Sequence, residues 1–392
     1  MQNYDVIVVG GGPTGATAAN DLAKAGHTVL LLDRRGRIKP CGGAVPPVLL
    51  REFDIPESAL EAKVTDARMI SPQSEKVDMS VGGWVGMVDR AEFDEWLRER
   101  ASSNGATRID GTYKRVDSEE GKPTVITYTD KTTGESCQAS ARYVIGADGA
   151  RSRVARSCIP GADKIPHVFA YHEIVESPAD GTGDFDASRC DVYYQGDVSP
   201  DFYGWVFPHG ERTSIGMGTA HQGYSLRNAT KLLRERAGLA DTKTVRTEGA
   251  PIPLRPMKRW DNGRDVLVAG DAAGVVAPAS GEGIYYAMHT GRLAAEAVAE
   301  ALATNNPKAL RLARKRFSKA HGRVFFILGL LQKFWYSSDK RREKFVKICR
   351  DPDVQHLTWE AYMNKKLVRA KPVAHVRIFF KDLAHLVGLA PR

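Results

Sequence analysis

Runs of apolar residues divide this chain into stretches with three different rhythms. At the N-terminus, Tyr4-Asp5-Val6-Ile7-Val8-Val9 is nearly continuous in apolar residues, the pattern of a strand buried on both faces. Ala16 to Ala25 carries small residues at helical spacing, and Thr28 to Leu32 reads as a second buried strand. The segments Ala141 to Ser152 and Asp265 to Gly274 each begin as an apolar strand and run into a turn. Between Ile165 and Trp260 the rhythm changes to shorter strand-like segments, at Val168 to Val175, Cys190 to Gln195, Gly204 to Pro208 and Thr213 to Thr219. These predict a mainly antiparallel sheet. From Asn305 onward the chain reads as helices, with a boundary marked by Asp351-Pro352-Asp353. There are no internal repeats or low-complexity tracts.

The turn after the first strand is Val9-Gly10-Gly11-Gly12-Pro13-Thr14-Gly15, with the GxGxxG spacing at Gly10, Gly12 and Gly15. Gly10 permits the tight turn, Gly12 lets backbone approach a pyrophosphate, and Gly15 lets helix and strand pack closely. The following helix presents free N–H groups and its positive dipole end to the phosphates. The second strand ends in Asp33, placed to accept from an adenosine ribose, with Arg34 beside it. Strand, turn, helix, strand and acid in this order predict a dinucleotide-binding unit.

Two later strand ends narrow the cofactor. One runs through Asp148-Gly149 and the other through Gly270-Asp271. GxGxxG, then Asp-Gly, then Gly-Asp resembles the flavoprotein monooxygenase and reductase superfamily that includes para-hydroxybenzoate hydroxylase. The resemblance implies FAD, with the glycine turn on the ADP half and Asp271 near the ribityl and pyrophosphate region. Arg90, opening Arg90-Ala91-Glu92-Phe93-Asp94, matches the superfamily's arginine near the FAD pyrophosphate. Gly10, Gly12, Pro13, Gly15, Asp33, Arg34, Arg90, Asp148, Gly149 and Asp271 are therefore cofactor-binding candidates.

Three further motifs carry the chemistry. Lys39-Pro40-Cys41-Gly42-Gly43-Ala44 would lay the backbone of Gly42 and Gly43 against a flat cofactor and set the Cys41 thiol beside it. Pro278, Gly281, Gly283 and Ile284 stand at a loop-to-helix junction that would aim N–H groups at the flavin's pyrimidine end. Tyr193 to Pro208 holds six aromatic rings in sixteen residues, suited to an apolar slot for a long hydrocarbon. Tyr193, Tyr203, Trp205, Phe207 and Pro208 are the substrate-binding candidates. Together KPCGG, YxWxFP and GDAAG followed by GEGI resemble the geranylgeranyl reductase family over essentially the full chain. The tail Phe334-Trp335-Tyr336-Ser337-Ser338-Asp339 is most similar to its chlorophyll and bacteriochlorophyll branch. The resemblance implies reduction of three of four double bonds of a geranylgeranyl chain, on diphosphate or pigment, with FAD and NADPH as cofactors.

That reaction needs a proton donor in a dry pocket, because an isolated alkene has no carbonyl to take up hydride density. Cys41, Tyr203, Glu282 and an ordered water are the candidates. An aromatic monooxygenase and a non-catalytic isoprenoid-binding escort on the same fold are the rival readings. The expected architecture is α/β (α+β overall). A discontinuous Rossmann-like FAD domain covers residues 1–70, 88–160 and 262–310. An antiparallel-sheet substrate domain covers 71–87 and 161–261, and a basic helical region covers 311–392.

Composition removes several other classes. The five cysteines form no CxxC pair and no metal-ligand spacing, as in a reducing cytoplasm. A first strand at Tyr4 leaves no room for a signal peptide, and the apolar run Val324 to Leu331 is far short of a span. Residues 311–392 carry 20 Lys and Arg against 6 Asp and Glu, whereas the whole chain is only +9. No nucleic-acid motif accompanies this charge. Beside the apolar-aromatic stretch Phe325 to Tyr336, it makes an anionic membrane surface the candidate partner of a cytoplasmic, peripherally attached enzyme.

Overall fold

A computed structural model of the protein describes residues 1–34, 36 and 38–365. β1 (Gln2–Val9) and β2 (Val29–Asp33) are parallel neighbours, Val6 opposite Val29 and Val9 opposite Leu32. α1 (Pro13–Lys24) crosses between them. Proline in its first turn costs nothing, because that N–H has no partner inside the helix. β3 (Ala44–Val45) and α2 (Pro47–Phe53) lead to the hairpin β4 (Ala62–Ile70) and β5 (Lys76–Met87). Next come α3 (Arg90–Ser103), β6 (Thr107–Asp117), β7 (Thr124–Asp130), β8 (Ser136–Gly146) and α4 (Arg153–Cys158). β9 (His167–Glu176), β10 (Arg189–Tyr193), β11 (Gly204–His209) and β12 (Arg212–Thr219) lie within two residues of their expected bounds. α5 (Leu226–Arg236), β13 (Thr244–Pro253), β14 (Val266–Val268) and α6 (Ile284–Thr304) follow. α7 (Arg311–Trp335), α8 (Asp339–Ile348) and α9 (Pro352–Asn364) complete the described chain, with Pro352 starting α9 as the Asp-Pro-Asp signal requires.

In the first sheet β6, β2, β1, β8 and β14 are parallel neighbours, while β7 pairs antiparallel with both β6 and β8. Helices cover it, so Val6 to Val9, Leu30 to Leu32 and Val266 to Val268 are buried almost completely. α6 approaches α1 closely because position 291 is glycine: a Cβ there would lie 2.3 Å from the Thr14 carbonyl oxygen. The second sheet runs β13-β9-β12-β11-β10-β4-β5-β3, antiparallel except at the β4–β10 pair.

One expected boundary moves. β3 and β4, placed by sequence in the FAD-binding segment 1–70, belong to the second sheet. The spacing of apolar residues marks a strand, but only pairing decides which sheet it joins, and β4 finds its partners in β5 and β10.

Candidate functional site

The carboxyl ends of β1, β2, β8 and β14 open onto a cavity of about 710 Å³. A doubly wound sheet leaves its ligand crevice at such a point. Gly10, Gly12, Pro13, Asp33, Arg34, Cys41, Gly42, Arg90, Asp148, Gly149 and Asp271 line it, as do Gly281, Gly283 and Ile284. The second sheet contributes Tyr203, Trp205 and Phe207 from the opposite side.

The glycines divide by what a side chain would strike. Gly10, at φ +103°, would place a Cβ 2.4 Å from the Ala147 carbonyl oxygen, and Gly15 would place one 1.8 Å from that of Gly10. Gly11, left free by the motif, is equally constrained, with Asp33 Oδ2 at 2.7 Å. Gly12 differs, since the nearest protein atom is Asp94 Oδ2 at 4.0 Å. The space over Gly12 is open to the cavity, and at the start of α1 a pyrophosphate would fit there.

Around this cradle the charges are organised by α3. Arg90 donates to Asp94 through two bonds of 2.7 Å, both side chains being buried. One turn on, Arg98 donates at 3.2 Å to both the Gly11 carbonyl and Asp33. Burial raises the Asp33 carboxyl above its ordinary range, against the opposing Gly11 N–H and Arg98 charge. Burial likewise raises Asp148, which accepts from Ser152 and from the N–H groups of Arg153 and Val154. Across the cavity Asp271 is ion-paired with Lys39. Sequence reading passed over Asp94, Arg98 and Lys39. The four-residue spacing of Arg90, Asp94 and Arg98 along one helix face was the available signal.

Several expected site residues stand elsewhere. Gly43 and Pro278 lie behind the cavity wall, where a Cβ at Gly43 (φ +76°) would sit 2.4 Å from His209 Cε1, whereas Gly15 is off the cavity in the packing role expected of it. Tyr193 is packed on the far face of the second sheet with Val206, Ile215 and Leu233, and Pro208 shares the Val206 side of β11. Successive strand residues point to opposite faces, so Trp205 and Phe207 exclude Val206 and Pro208 from the cavity. Glu282, flanked by lining glycines, is itself withdrawn. It accepts from Lys365 at 2.7 Å and from the Tyr285 N–H at 3.1 Å, with Lys365 over the rings of Tyr285, Tyr286 and Tyr362. That ion pair takes Glu282 out of position as a donor to the cavity. Tyr203 keeps its place, stacked on Phe202 at 4.3 Å, and its hydroxyl donates to the Ser280 carbonyl at 2.5 Å. Cys41 accepts from the Gly43 N–H at 3.4 Å and lies within hydrogen-bonding reach of Arg90.

The basic helical region splits in two. Phe325, Trp335 and Tyr336 are buried, while Phe326, Leu330 and Leu331 are exposed on α7 with Arg323 and Lys333 nearby. Arg342 is a buried clasp that donates to the carbonyls of Tyr336 and Pro200 and to Asp339. Among the described residues no helix is long and apolar enough to cross a membrane. Residues 366–392 of the expected basic region lie outside the described residues.

Comparison with known proteins extends this picture. Residues 4–182 match the family described as pyridine nucleotide-disulphide oxidoreductase, and residues 211–378 match the lycopene cyclase protein family. A geranylgeranyl diphosphate reductase of Rhodobacter capsulatus is 57% identical over 389 residues, covering 99% of this chain and 98% of its own. A chloroplastic geranylgeranyl diphosphate reductase of Nicotiana tabacum is 37% identical, covering 98% of this chain and 86% of its own. A digeranylgeranylglycerophospholipid reductase of Methanoculleus marisnigri is 32% identical over 78% of each chain. Among solved structures, a geranylgeranyl bacteriochlorophyll reductase-like protein of Thermoplasma acidophilum matches with TM-score 0.82 at 24% identity. It covers 95% of this chain and 100% of its own. A p-nitrophenol 4-monooxygenase of Pseudomonas putida matches with TM-score 0.71 at 16% identity, over 94% of this chain and 100% of its own. At such identities the structural likeness is one of fold alone.

Proposed function

This chain belongs to the geranylgeranyl diphosphate reductase family, and from that premise we propose that it saturates three of the four double bonds of a geranylgeranyl chain. It is an FAD-dependent oxidoreductase that reduces carbon–carbon double bonds. NADPH as electron source, and a diphosphate or a pigment as carrier of the chain, are parts of the proposal. The observation that carries it is one cavity joining a dinucleotide cradle to an aromatic wall of Phe202, Tyr203, Trp205 and Phe207.

FAD, once reduced by NADPH, would supply the hydride. The protein has two remaining tasks. Arg90, Arg98, Asp33 and the Gly10–Gly12 turn hold the ADP and pyrophosphate, while the aromatic wall excludes water. Saturation of a double bond would need a hydride at one alkene carbon and a proton at the other, and the ring faces of Tyr203, Trp205 and Phe207 would stabilise tertiary cation character developing between them. Cys41, beside Arg90 and Gly42, stands as donor candidate together with Tyr203 and an ordered water. Arg151, Arg153 and Arg156 line the same cavity and give a phosphate-bearing reductant a positive approach.

The second part of the proposal is that the exposed Phe326, Leu330 and Leu331, with Arg323 and Lys333 exposed on the same helix, rest on an anionic bilayer where isoprenoid substrates reside. The hydroxylase and escort readings are not favoured, because the full-length relatives are reductases. Anaerobic turnover tests the function. Geranylgeranyl diphosphate and geranylgeranylated pigment are each supplied with NADPH, and products are read by mass for successive gains of two hydrogens. A strict need for oxygen, or no gain with either substrate, rejects it.

A further inference from the structure

Beside the aromatic wall lies a row of polar side chains that the reaction as described does not use, of which His172 itself lines the cavity. Trp205, Gly216, His172 and Glu248 are direct neighbours across β11, β12, β9 and β13. Gly216 lets the outer two of the first three meet, for a Cβ there would be 2.5 Å from both His172 Cβ and Trp205 Cζ2. Ser214 lies two residues away on the same face of β12. Trp205 Nε1–H donates to Ser214 Oγ at 3.1 Å. Ser214 Oγ is 2.9 Å from His172 Nδ1, and His172 Nε2 is 2.7 Å from Glu248 Oε2.

The proton positions in this row follow from chemistry. The Glu248 carboxylate only accepts, so His172 donates to it from Nε2, and in a neutral imidazole Nδ1 is left as an acceptor. Ser214 must then donate to Nδ1, which leaves its oxygen lone pairs for the indole N–H. With His172 neutral the chain runs one way, from Trp205 to Ser214 to His172 to Glu248. At its far end Arg246 Nε is 2.9 Å from Glu248 Oε1, an ion pair, and Arg246 donates at 2.8 Å to Asp89, the cap of α3 ahead of Arg90. Trp205, Ser214 and His172 are each at most 6% exposed.

A hydroxyl, an imidazole and a carboxylate are costly to bury under an apolar slot, and they are tolerated because every donor meets an acceptor. An apolar layer of the same shape would pack as well without that demand. What the polar layer adds is orientation. An indole held only by packing can turn over in its slot, whereas one anchored through Nε1 presents a single edge and face to the cavity. We infer that Ser214, His172 and Glu248 are positioning residues that lock the Trp205 ring as the register wall against which each isoprenoid double bond is aligned. The inference rests on the reductase reading and names how that site holds its substrate.

The test uses the full-length flavoprotein and two readouts. The first is the Trp205 indole N–H resonance in a nitrogen-15 spectrum, identified as the one missing from Trp205→Phe. The second is steady-state reduction of geranylgeranyl diphosphate. Ser214→Ala, which removes one oxygen, moves the indole resonance and lowers kcat about tenfold while flavin content holds, and the orphaned indole N–H lowers the melting temperature. Trp205→Phe gives a comparable loss, and the double variant is no worse than Trp205→Phe alone, because Ser214 acts only through the indole. His172→Gln, whose amide spans the same two partners, retains more turnover than His172→Phe. An indole resonance unmoved in Ser214→Ala, or losses that multiply in the double variant, overturns the inference. Failure of the unmodified enzyme to reduce either geranylgeranyl diphosphate or the geranylgeranylated pigment overturns the reductase reading instead, and the resonance still decides whether the chain holds the indole.

Discussion

At the scale of single residues, neighbouring glycines do opposite jobs, and an added methyl group separates them. Gly15→Ala drives a Cβ into the Gly10 carbonyl at 1.8 Å, so the protein is expected to lose about 1–3 kcal/mol or more in denaturant unfolding. Gly12→Val meets no protein atom closer than 4.0 Å at Cβ, so the flavin-free protein should melt as before and purify colourless. Full flavin occupancy in Gly12→Val refutes the cradle. Asp33 makes a second residue-scale prediction. Burial raises its carboxyl in the folded protein. A group raised on folding contributes stability below its unfolded pKa and loses that contribution as pH climbs through the folded value. The melting temperature of the flavin-free protein, taken relative to that of Asp33→Asn, should therefore fall with rising pH across the acidic range. The same variant should bind FAD more weakly, since the amide is a poorer acceptor for ribose hydroxyls. A pH profile unchanged by Asp33→Asn contradicts this.

Single elements behave less simply than their sequences suggest. α7 reads as one apolar-aromatic stretch among cations, but its rings face two ways. Phe325 and Trp335 pack inward, and Phe326, Leu330 and Leu331 face out. The outward side chains are the ones to change. Phe326→Ser with Leu330→Ser is expected to reduce flotation with anionic liposomes several-fold, and high salt should weaken binding of the unchanged protein. Equal binding to neutral vesicles, or none to either, removes the membrane role from α7. Arg342 shows why such probes need a structure: it reads as one of three adjacent surface cations, yet its guanidinium is buried against the carbonyls of Tyr336 and Pro200. α3 is the converse case, its polar residues forming a stripe of Arg90, Asp94 and Arg98 beneath the cofactor crevice.

For the whole molecule, the question is what holds the cofactor loop and the C-terminal helices together. Lys365, just beyond α9, reaches Glu282 at 2.7 Å, and the two side chains are 4% and 5% exposed. Lys365→Met leaves a buried carboxylate without its partner and is expected to cost about 3–5 kcal/mol. Adding Glu282→Gln removes the stranded charge and should restore most of that loss in the same unfolding measurement. A single variant as stable as the parent shows that the pair does not tie these regions. The opening strand–helix–strand unit, the three acidic strand ends and the aromatic motif were legible in the sequence because each depends on contacts between near neighbours. GxGxxG works over six residues, and strand alternation works over two. The sheet joined by β4, the withdrawal of Glu282 behind the wall, the turning away of Tyr193 and the hydrogen-bonded row under Trp205 were not legible. Each joins residues far apart in the chain: 83 positions separate Glu282 from Lys365 and 76 separate His172 from Glu248. Local pattern determined which elements form and that they could cradle a dinucleotide. Only tertiary pairing decided which face each side chain shows to the cavity, because burial of a polar group is stable only where the fold brings it a partner.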